Sequence, residues 1–337
     1  MHAALYPSRM SPYLSLTSAQ QRPFESGFSM VLVVGLNPAV DRILTVPNFA
    51  VGATLKAEAV QTLAAGKAMN VAAVLRLLGL GVGYAGFVGK EEAAFFRKRV
   101  PDLECWMVEV EGRTRTDTTV IDPVGHTETH VREPGFAVQS EDIERFLDAF
   151  TGAIGSAEFV VMSGSLPPGA PEGMYAELVG LCHARRIRTL LDTSGKPLSM
   201  GVGARPSFLK PNAEELVELT GGHAENETEA ALFGKMMLKG NTRAVAITRG
   251  AAGAVMVDRR TAIRGSASVP KVVNTVGCGD AFVAGWVSKI ISGHPPVEQL
   301  REALATAGAN AMTHGAGVIE RENLDLMRNR VTISTVG

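Results

Sequence analysis

The chain has 337 residues, of which 46% are hydrophobic and 20% are charged, and its formal net charge is −1. This composition is typical of a soluble globular protein with one large domain or two, and it lacks the strongly basic field that would indicate a nucleic-acid partner. No apolar run approaches the roughly 20 residues that a membrane helix needs, so we expect no membrane partner. The three cysteines are widely spaced and odd in number. They predict no disulfide framework or zinc site and favour a reducing, cytoplasmic location.

The first 29 residues differ in character from the rest of the chain. They are rich in Ser, Pro, Gln and Tyr and show no hydrophobic periodicity, which predicts a disordered N-terminal extension over 1–29. No apolar segment follows the early Arg9, and this argues against a signal peptide. A strand-like run begins directly after Met30. We therefore predict a single domain over 30–325 and a C-terminal tail over 326–337.

Apolar runs of strand length alternate with helical patterns along most of the chain. The run at 31–36 is continuously apolar, as expected of a strand buried on both faces. Regular alternation from about residue 141 onward predicts an α/β fold with a mostly parallel, doubly wound sheet that helices cover on both faces. Shorter and more polar β-like pieces in 37–62 and 105–134 predict a small antiparallel sheet that projects from the main body.

The segment 81–86 matches the pattern G-x-G-x-x-G. A dinucleotide-binding fingerprint follows a strand and opens a helix, whereas this segment follows a predicted helix and itself resembles a strand. We therefore interpret it as the end of a helix followed by a strand, and a dinucleotide-dependent oxidoreductase is only a remote alternative. No P-loop motif is present in the sequence.

The strongest candidate site lies at 273–285, where a β-branched run passes through a glycine-spaced turn into an apolar helix. The turn contains Gly277, Cys278 and Gly279, and the first amides of the helix that follows would have no intrahelical partners. Such a helix N-terminus favours an anion, most naturally a phosphate. Asp280 follows at the mouth of the predicted site. It either caps the helix or accepts a proton from a hydroxyl beside the phosphate.

Other polar residues follow predicted strands or open helices. Asp41 follows the first strand, where α/β proteins collect their ligands, and is a candidate for binding substrate hydroxyls; an ordinary turn aspartate is the alternative. Lys67 and Asn70 lie in the first turn of a predicted helix. A lysine there opposes the helix dipole, so an anionic or hydroxyl-rich ligand explains it better than local stability does, although a solvated lysine stays open.

Seven motifs together resemble, in content and in order, the ribokinase-like phosphofructokinase-B family of carbohydrate kinases. They lie at 36–41, 65–72, 114–115, 163–169, 210–216, 248–254 and 275–280. The resemblance extends from about residue 31 to about residue 320. Within the family, the Leu-Asn-Pro-Ala-x-Asp opening and the Ser-Gly-Ser-Leu-Pro-Pro-Gly loop are most similar to the 1-phosphofructokinase and tagatose-6-phosphate kinase branch. That branch phosphorylates sugars that already carry one phosphate.

The resemblance implies a ribokinase-like three-layer α/β/α fold with a β lid over 37–62 and 105–134, and transfer of the γ-phosphoryl group from Mg²⁺-ATP to a phosphosugar of the fructose 1-phosphate or tagatose 6-phosphate type. It implies Asp280 as general base and the amides of Gly277, Cys278 and Gly279 as an anion hole. The implied substrate-binding residues are Asp41, Gly66, Lys67, Asn70, Arg115 and Ser165, with Arg115 as the clamp on the substrate phosphate. The implied nucleotide-binding residues are Lys210, Asn212, Thr248, Gly250 and Gly253, with Asn212 and Glu215 facing Mg²⁺ through water. The lid would close over the sugar and form a homodimer contact.

Four residues depart from the family pattern. Ala68 replaces a common glycine, so we expect less room for the sugar, and Cys278 replaces an alanine, with a thiol pKa that the helix N-terminus would lower. Asn274 replaces an aspartate near a monovalent-cation site, which argues against potassium activation. Asp117 replaces an asparagine and places a negative charge near the proposed clamp. A kinase of an unphosphorylated sugar or nucleoside therefore stays an alternative, as does, more remotely, a non-catalytic sensor on the same fold.

Overall fold

The computed structural model describes residues 30–99, 103–222, 224 and 226–337. The predicted N-terminal extension over 1–29 lies outside this range. Within it, none of the helices combines the length and the apolar character that crossing a membrane requires.

Strands and helices alternate along the described chain. The strands are β1 (Met30–Gly35), β2 (Ala39–Thr45), β3 (Ala59–Ala65), β4 (Val82–Gly89), β5 (Glu104–Val110), β6 (Arg115–Asp122), β7 (Thr127–Arg132), β8 (Ala157–Ser163), β9 (Arg188–Asp192), β10 (Phe208–Leu209), β11 (Ala244–Thr248), β12 (Ala254–Asp258), β13 (Ala262–Ala267) and β14 (Val331–Thr335). The helices are α1 (Lys67–Leu77), α2 (Ala93–Arg99), α3 (Ser140–Ala153), α4 (Met174–Ala184), α5 (Gly195–Gly203), α6 (Ala213–Thr220), α7 (Glu227–Met237), α8 (Cys278–Ile291), α9 (Pro296–Ala311) and α10 (Arg321–Arg328).

Among the described residues, the central sheet has ten strands in the order β14-β13-β12-β11-β10-β9-β8-β1-β4-β5. The strands from β11 to β5 are parallel to one another, whereas β12, β13 and β14 are antiparallel. Successive residues of β1 pack into different hydrophobic cores: Val31 and Val33 join the core of α1, α8 and α9, and Leu32 and Val34 join the core of α3 and α4. Alternation is expected for a strand buried on both faces. The predicted three-layer α/β fold is therefore confirmed.

A second sheet of four strands, which we call the lid, has the order β3-β2-β6-β7. Its outer pairs are antiparallel, but β2 and β6 are parallel, with Asp41 opposite Asp117. The segment 104–110 does not belong to it, because β5 pairs in parallel with β4 at the edge of the central sheet. The prediction that assigned all of 105–134 to the lid was therefore wrong for this strand. A short β-like segment does not reveal which strand it will pair with.

The C-terminal segment is part of the central sheet. Helix α10 is followed by β14, which pairs antiparallel with β13, and Arg301 Nη1 donates a hydrogen bond to the carbonyl oxygen of Val331 at 2.9 Å. Val331 itself is buried. The prediction of a tail over 326–337 was wrong, because the polar residues of β14 at the edge of the sheet hide its strand character.

Candidate active site

Polar side chains converge at the carboxyl ends of the parallel strands. Ser163 ends β8, Asp192 ends β9 and Lys210 follows β10. The N-termini of α1 and α8 reach the same place, because Lys67 in α1 and Asp280 in α8 both interact with this group. This edge of a doubly wound sheet is where such folds bind their ligands.

The turn before α8 requires glycine at its first position. Gly277 has a φ of 81°, and a Cβ there would lie 2.8 Å from the Cβ of Ala316. Any side chain would therefore push the turn away from the loop that holds Ala316. On the other side of this turn, Asn310 Nδ2 donates a hydrogen bond to the carbonyl oxygen of Val276 at 2.8 Å. The start of α8 is thus held in place by packing and by a side-chain hydrogen bond.

Asp280 lies in the first turn of α8 and is almost fully buried, with 5% of its surface exposed. Its Oδ2 accepts a hydrogen bond from Asn70 Nδ2 at 2.8 Å, which joins α8 to α1. Burial raises the pKa of Asp280 to about 6, although the charge of Lys67 opposes the shift. A carboxylate with a pKa near neutrality is suited to accept a proton from a hydroxyl.

Asp192 is the centre of a buried charge cluster that the sequence analysis did not identify. Its carboxylate has no exposed surface, lies 2.9 Å from Lys210 Nζ and 3.6 Å from Lys67 Nζ, and accepts a hydrogen bond from Ser163 Oγ at 3.2 Å. Burial alone would raise the pKa of Asp192, but the two lysines hold that pKa below its ordinary value. The sequence signal was the run Asp-Thr-Ser after a buried strand, which did not reveal the lysine partners.

Lys67 is positioned by this cluster, and its charge depends on it. Asp192 raises the pKa of Lys67 well above the ordinary value, so the ammonium group is permanently charged. Part of the side chain stays accessible, with 42% of its surface exposed. It can therefore meet a ligand at the edge of the sheet. The predicted anion-facing role of Lys67 fits this geometry.

The lid contributes Asp41 and Arg115 to the same side of the molecule. Burial raises the pKa of Asp41 to about 7, and the neighbouring carboxylate of Asp117 adds to the shift. Arg115 Nη1 lies 2.9 Å from a carboxylate oxygen of Asp117, and Arg115 Nε donates to the carbonyl oxygen of Pro38 at 3.2 Å. The predicted phosphate clamp is therefore already engaged with a carboxylate of its own strand.

The start of α1 lies against the loop after β1. Gly66 caps the helix with a φ of 103°, and a Cβ there would lie 3.1 Å from the Cα of Pro38. Ala68 is buried in the core, and its Cβ would lie 2.6 Å from a Cβ placed on Gly35. The methyl group of Ala68 thus fills space next to β1. The expectation that it leaves less room for the sugar stays a prediction.

Ser165 lies in the loop after β8. Its Oγ accepts a hydrogen bond from Asn37 Nδ2 at 3.0 Å, which ties this loop to the loop after β1. Ser165 is exposed, so it lies at an accessible surface between the sheet and the lid.

The nucleotide side of the predicted site begins at α6. Asn212 Oδ1 accepts from the amide of Glu215 at 2.7 Å, and Glu215 Oε2 accepts from the amide of Asn212 at 2.8 Å. This reciprocal capping box satisfies two amides of the helix start. Burial raises the pKa of Glu215, against the charge of Lys210. The other carboxylate oxygen of Glu215, Oε1, takes no part in the capping box. Carboxylate, water and phosphate oxygens together are ligands that fit Mg²⁺.

The remaining predicted nucleotide residues lie in the turn between β11 and β12. Thr248 forms a parallel bridge with Asn212, so this turn adjoins the capping box. Gly250 has a φ of 56°, and Gly253 has a φ of 87° at a point where a Cβ would overlap the carbonyl oxygen of Gly265. Both glycines therefore have a structural reason to be there.

Lys210 also reaches the glycine turn of α8, because a Cβ on Gly279 would lie 3.8 Å from Lys210 Nζ. Cys278 stands beside Gly279, and its Sγ lies 3.6 Å from Asn310 Nδ2. Burial raises the pKa of the Cys278 thiol. The prediction of a lowered thiol pKa was wrong, because loss of solvation outweighs the hydrogen bond from Asn310, which lowers the pKa.

Comparisons with known proteins agree with this geometry. A family model described as pfkB family carbohydrate kinase matches residues 29–322. The 1-phosphofructokinase of Rhodobacter capsulatus is 33% identical over 91% of this chain and 98% of the relative, and that of Bacillus subtilis is 29% identical over 86% and 95%. Among solved structures, a possible 1-phosphofructokinase of Thermotoga maritima has a TM-score of 0.83 at 25% identity, over 91% of this chain and all of that one. Phosphofructokinase-2 of Escherichia coli, in complex with substrates and products, has the same fold with a TM-score of 0.82 at 22% identity, over 90% and 98%.

The buried charge cluster predicts a stability effect. Asp192→Asn leaves two lysines without their shared carboxylate, and we expect the free energy of unfolding to fall by about 3 kcal/mol at pH 7. Because the pKa of Asp192 is lowered in the folded state, its contribution is complete above its ordinary pKa and is lost only as the pH falls through the folded value. Urea unfolding between about pH 5 and 8 should show a constant difference from the wild type.

Asp148→Asn is the matched control, because Asp148 is an exposed carboxylate on α3. Its free energy of unfolding should stay within about 0.5 kcal/mol of the wild type. Equal stability of the two variants would contradict the proposed importance of the cluster.

Proposed function

Because the chain belongs to the pfkB family of carbohydrate kinases, we propose that it transfers the γ-phosphoryl group of ATP to a hydroxyl of a phosphosugar of the fructose 1-phosphate or tagatose 6-phosphate type. The chain is a phosphotransferase that acts on an alcohol group, in common with its 1-phosphofructokinase relatives. The observation that carries the proposal is the buried Asp280 carboxylate, held by Asn70 at the N-terminus of α8.

In the proposed reaction, Asp280 accepts the proton of the attacking hydroxyl. The hydroxyl oxygen bonds to the γ-phosphorus as the bond from that phosphorus to the bridging oxygen breaks, and ADP leaves. The amides of Gly277, Cys278 and Gly279 stabilise the charge on the transferring group, and Lys210 adds a positive charge beside them. Mg²⁺, when bound, would neutralise phosphate charge, held through water by Asn212 and Glu215.

Arg115 is proposed to hold the phosphate that the substrate already carries. Its guanidinium is half-buried and has an orientation set by the carbonyl oxygen of Pro38. A phosphate would compete with the Asp117 carboxylate for the N–H groups of the Arg115 guanidinium. It carries more negative charge than a carboxylate and is therefore the stronger partner. Asp117 keeps the guanidinium in position until the substrate arrives.

A kinase of an unphosphorylated sugar or nucleoside is the second candidate. The observation that favours it is the ion pair of Arg115 with Asp117 at 2.9 Å, which already neutralises the only arginine proposed for the substrate phosphate. In this case Arg115 is a structural residue of the lid. The two candidates share Asp280 and differ in what Arg115 binds.

The pKa of Asp280 predicts the pH dependence of the reaction. Protonation removes the base, so kcat/KM should fall about tenfold per pH unit below the raised pKa of about 6, rather than below its ordinary value of 3.8. Asp280→Asn, which keeps the shape of the side chain, should lower kcat by roughly 10²- to 10⁴-fold. A coupled assay of ADP release with Mg²⁺-ATP measures both.

The same assay identifies the substrate. It is run with fructose 1-phosphate, fructose 6-phosphate, tagatose 6-phosphate, fructose and ribose, and Asp148→Asn serves as a matched carboxylate control that should keep the wild-type rate. An Asp280→Asn enzyme with more than about a tenth of wild-type activity would contradict the base assignment. Turnover of unphosphorylated sugars alone would favour the second candidate.

Arg115→Ala distinguishes the two candidates directly. Loss of a charge-assisted contact with a phosphate should raise KM for the phosphosugar by about 10- to 150-fold. Arg42→Ala is the matched control, because Arg42 is an exposed lid arginine on β2 that follows Asp41 and therefore faces the opposite side of the sheet. Equal KM values for the wild type and both variants would remove Arg115 from the substrate site.

A homodimer through the lid is also proposed. The lid and its loops expose apolar side chains: Phe49, Val51, Leu55, Val60, Val124 and Val131. Exposed apolar groups on one small sheet and its loops are typical of a protein interface. Val131→Glu should therefore shift the mass measured by light scattering from dimer towards monomer, whereas Leu232→Glu, at an equally exposed position on α7, should not. A monomeric wild type at micromolar concentration would contradict the proposal.

A further inference from the structure

A cavity of about 670 Å³ opens at the edge of the central sheet opposite the candidate active site. Its lining comes from the segments that precede β9, β10 and β11, from the end of α4 and from the turn after β12. The side chains that matter for its chemistry are Arg186, Arg188, Arg243, Arg259, Arg260 and His183. We call this cavity and these residues the arginine cavity.

The arginine cavity is separate from the candidate active site. Strand β9 begins with Arg188 in the cavity wall and ends with Asp192 in the buried charge cluster. Four residue steps of a strand span roughly 13 Å. Strand β11 connects the two edges in the same way, since it runs from the residue after Arg243 to Thr248.

The positive charge in the cavity is largely uncompensated. Among the described residues, Arg186, Arg243 and Arg260 have no carboxylate within ion-pair distance, and Arg188 has only Glu158, at 3.8 Å. Within the described part of the chain, the acidic residue that lines the cavity is Asp258. Like charges gathered in a concave surface repel one another and raise the local concentration of anions.

Asp258 forms no ion pair with an arginine among the described residues, and its side chain instead holds the turn that follows it. Its Oδ1 accepts hydrogen bonds from the amides of Arg260 and Thr261, at 2.7 and 2.6 Å. It also accepts from the hydroxyl of Thr261 at 3.0 Å. These contacts fix the turn that carries Arg259 and Arg260, and they leave both guanidinium groups outside any ion pair with Asp258.

His183 also lines the arginine cavity. Asn241 Nδ2 lies 3.4 Å from His183 Nδ1, and since an amide nitrogen only donates, Nδ1 is the acceptor. Burial lowers the pKa of His183, which favours the neutral form of the ring. His183 Nε2 is buried and has no hydrogen-bond partner in the part of the chain that the structure covers.

We propose that the arginine cavity is a second anion-binding site, which takes a small molecule carrying one or more phosphate groups. The guanidinium fork matches phosphate oxygens in pairs. The volume is that of a small-molecule site, and the cavity is concave rather than an extended stripe of the kind that binds nucleic acid. The net charge of −1 for the whole chain means that the positive charge is local.

The test is a calorimetric titration with pyrophosphate at low ionic strength, since salt screens exposed charges. The comparison is between the wild type and the double variant Arg243→Gln/Arg260→Gln. These arginines are exposed, so the variant should fold normally, which thermal unfolding checks. We expect the variant to lose one binding event, or to weaken it by about tenfold or more, while any binding in the catalytic cleft persists.

Lys98→Gln/Arg330→Gln removes the same number of exposed charges from α2 and from the residue before β14 and should bind as the wild type does.

Inorganic phosphate and glycerol 3-phosphate, titrated in parallel, distinguish a site for the free ion from a site for a phosphate ester. Equal pyrophosphate binding by the wild type and the Arg243→Gln/Arg260→Gln variant would overturn the proposal. So would an equal loss in the Lys98→Gln/Arg330→Gln control, because the effect would then be one of overall charge. Binding of a short single-stranded DNA through Arg243 and Arg260, without pyrophosphate binding, would also overturn it.

Discussion

The carboxylate of Asp192 imposes the constraint on which the candidate active site depends. A carboxylate with no exposed surface stays ionised only if cations and hydrogen-bond donors replace the lost water. Lys67, Lys210 and Ser163 provide these partners. They come from a helix, a loop and a strand end, so one buried charge fixes three elements relative to one another. The same lysines face Asp280 and oppose the rise of its pKa.

Contacts between distant parts of the sequence complete the site. The hydrogen bond from Asn70 to Asp280 joins residues 210 positions apart. Gly317 lies so close to α1 that a Cβ there would be 2.7 Å from the Cα of Asn70. Helix α1 is therefore packed between α8 and the loop that follows α9. A change in this packing would move the base and the residue that orients it together.

The distribution of charge separates two edges of the sheet. At the carboxyl edge, the cations are paired with carboxylates, as Lys210 is with Asp192 and Arg115 is with Asp117. At the opposite edge, the arginines of the arginine cavity have few such partners. A cation that is paired with a carboxylate is held in one position, and catalysis requires such fixed positions. A cation without a carboxylate partner attracts anions mainly through its charge, and its position is less constrained. The carboxyl edge is thus suited to the proposed phosphoryl transfer, and the opposite edge is suited to the proposed binding of a phosphate-bearing anion.

The sequence by itself determined the α/β fold, the order of its motifs and the edge at which Asp41, Lys67, Asn70 and Asp280 meet. It could do so because burial on both faces of a strand, glycine turns and helix starts leave local patterns. The tertiary structure alone decided the role of Asp192, the pairing of β5 and β14, the raised pKa of Cys278 and the gathering of arginines in one cavity. Each of these depends on burial or on contacts between segments far apart in the chain, and no local pattern encodes which distant groups will surround a residue after folding.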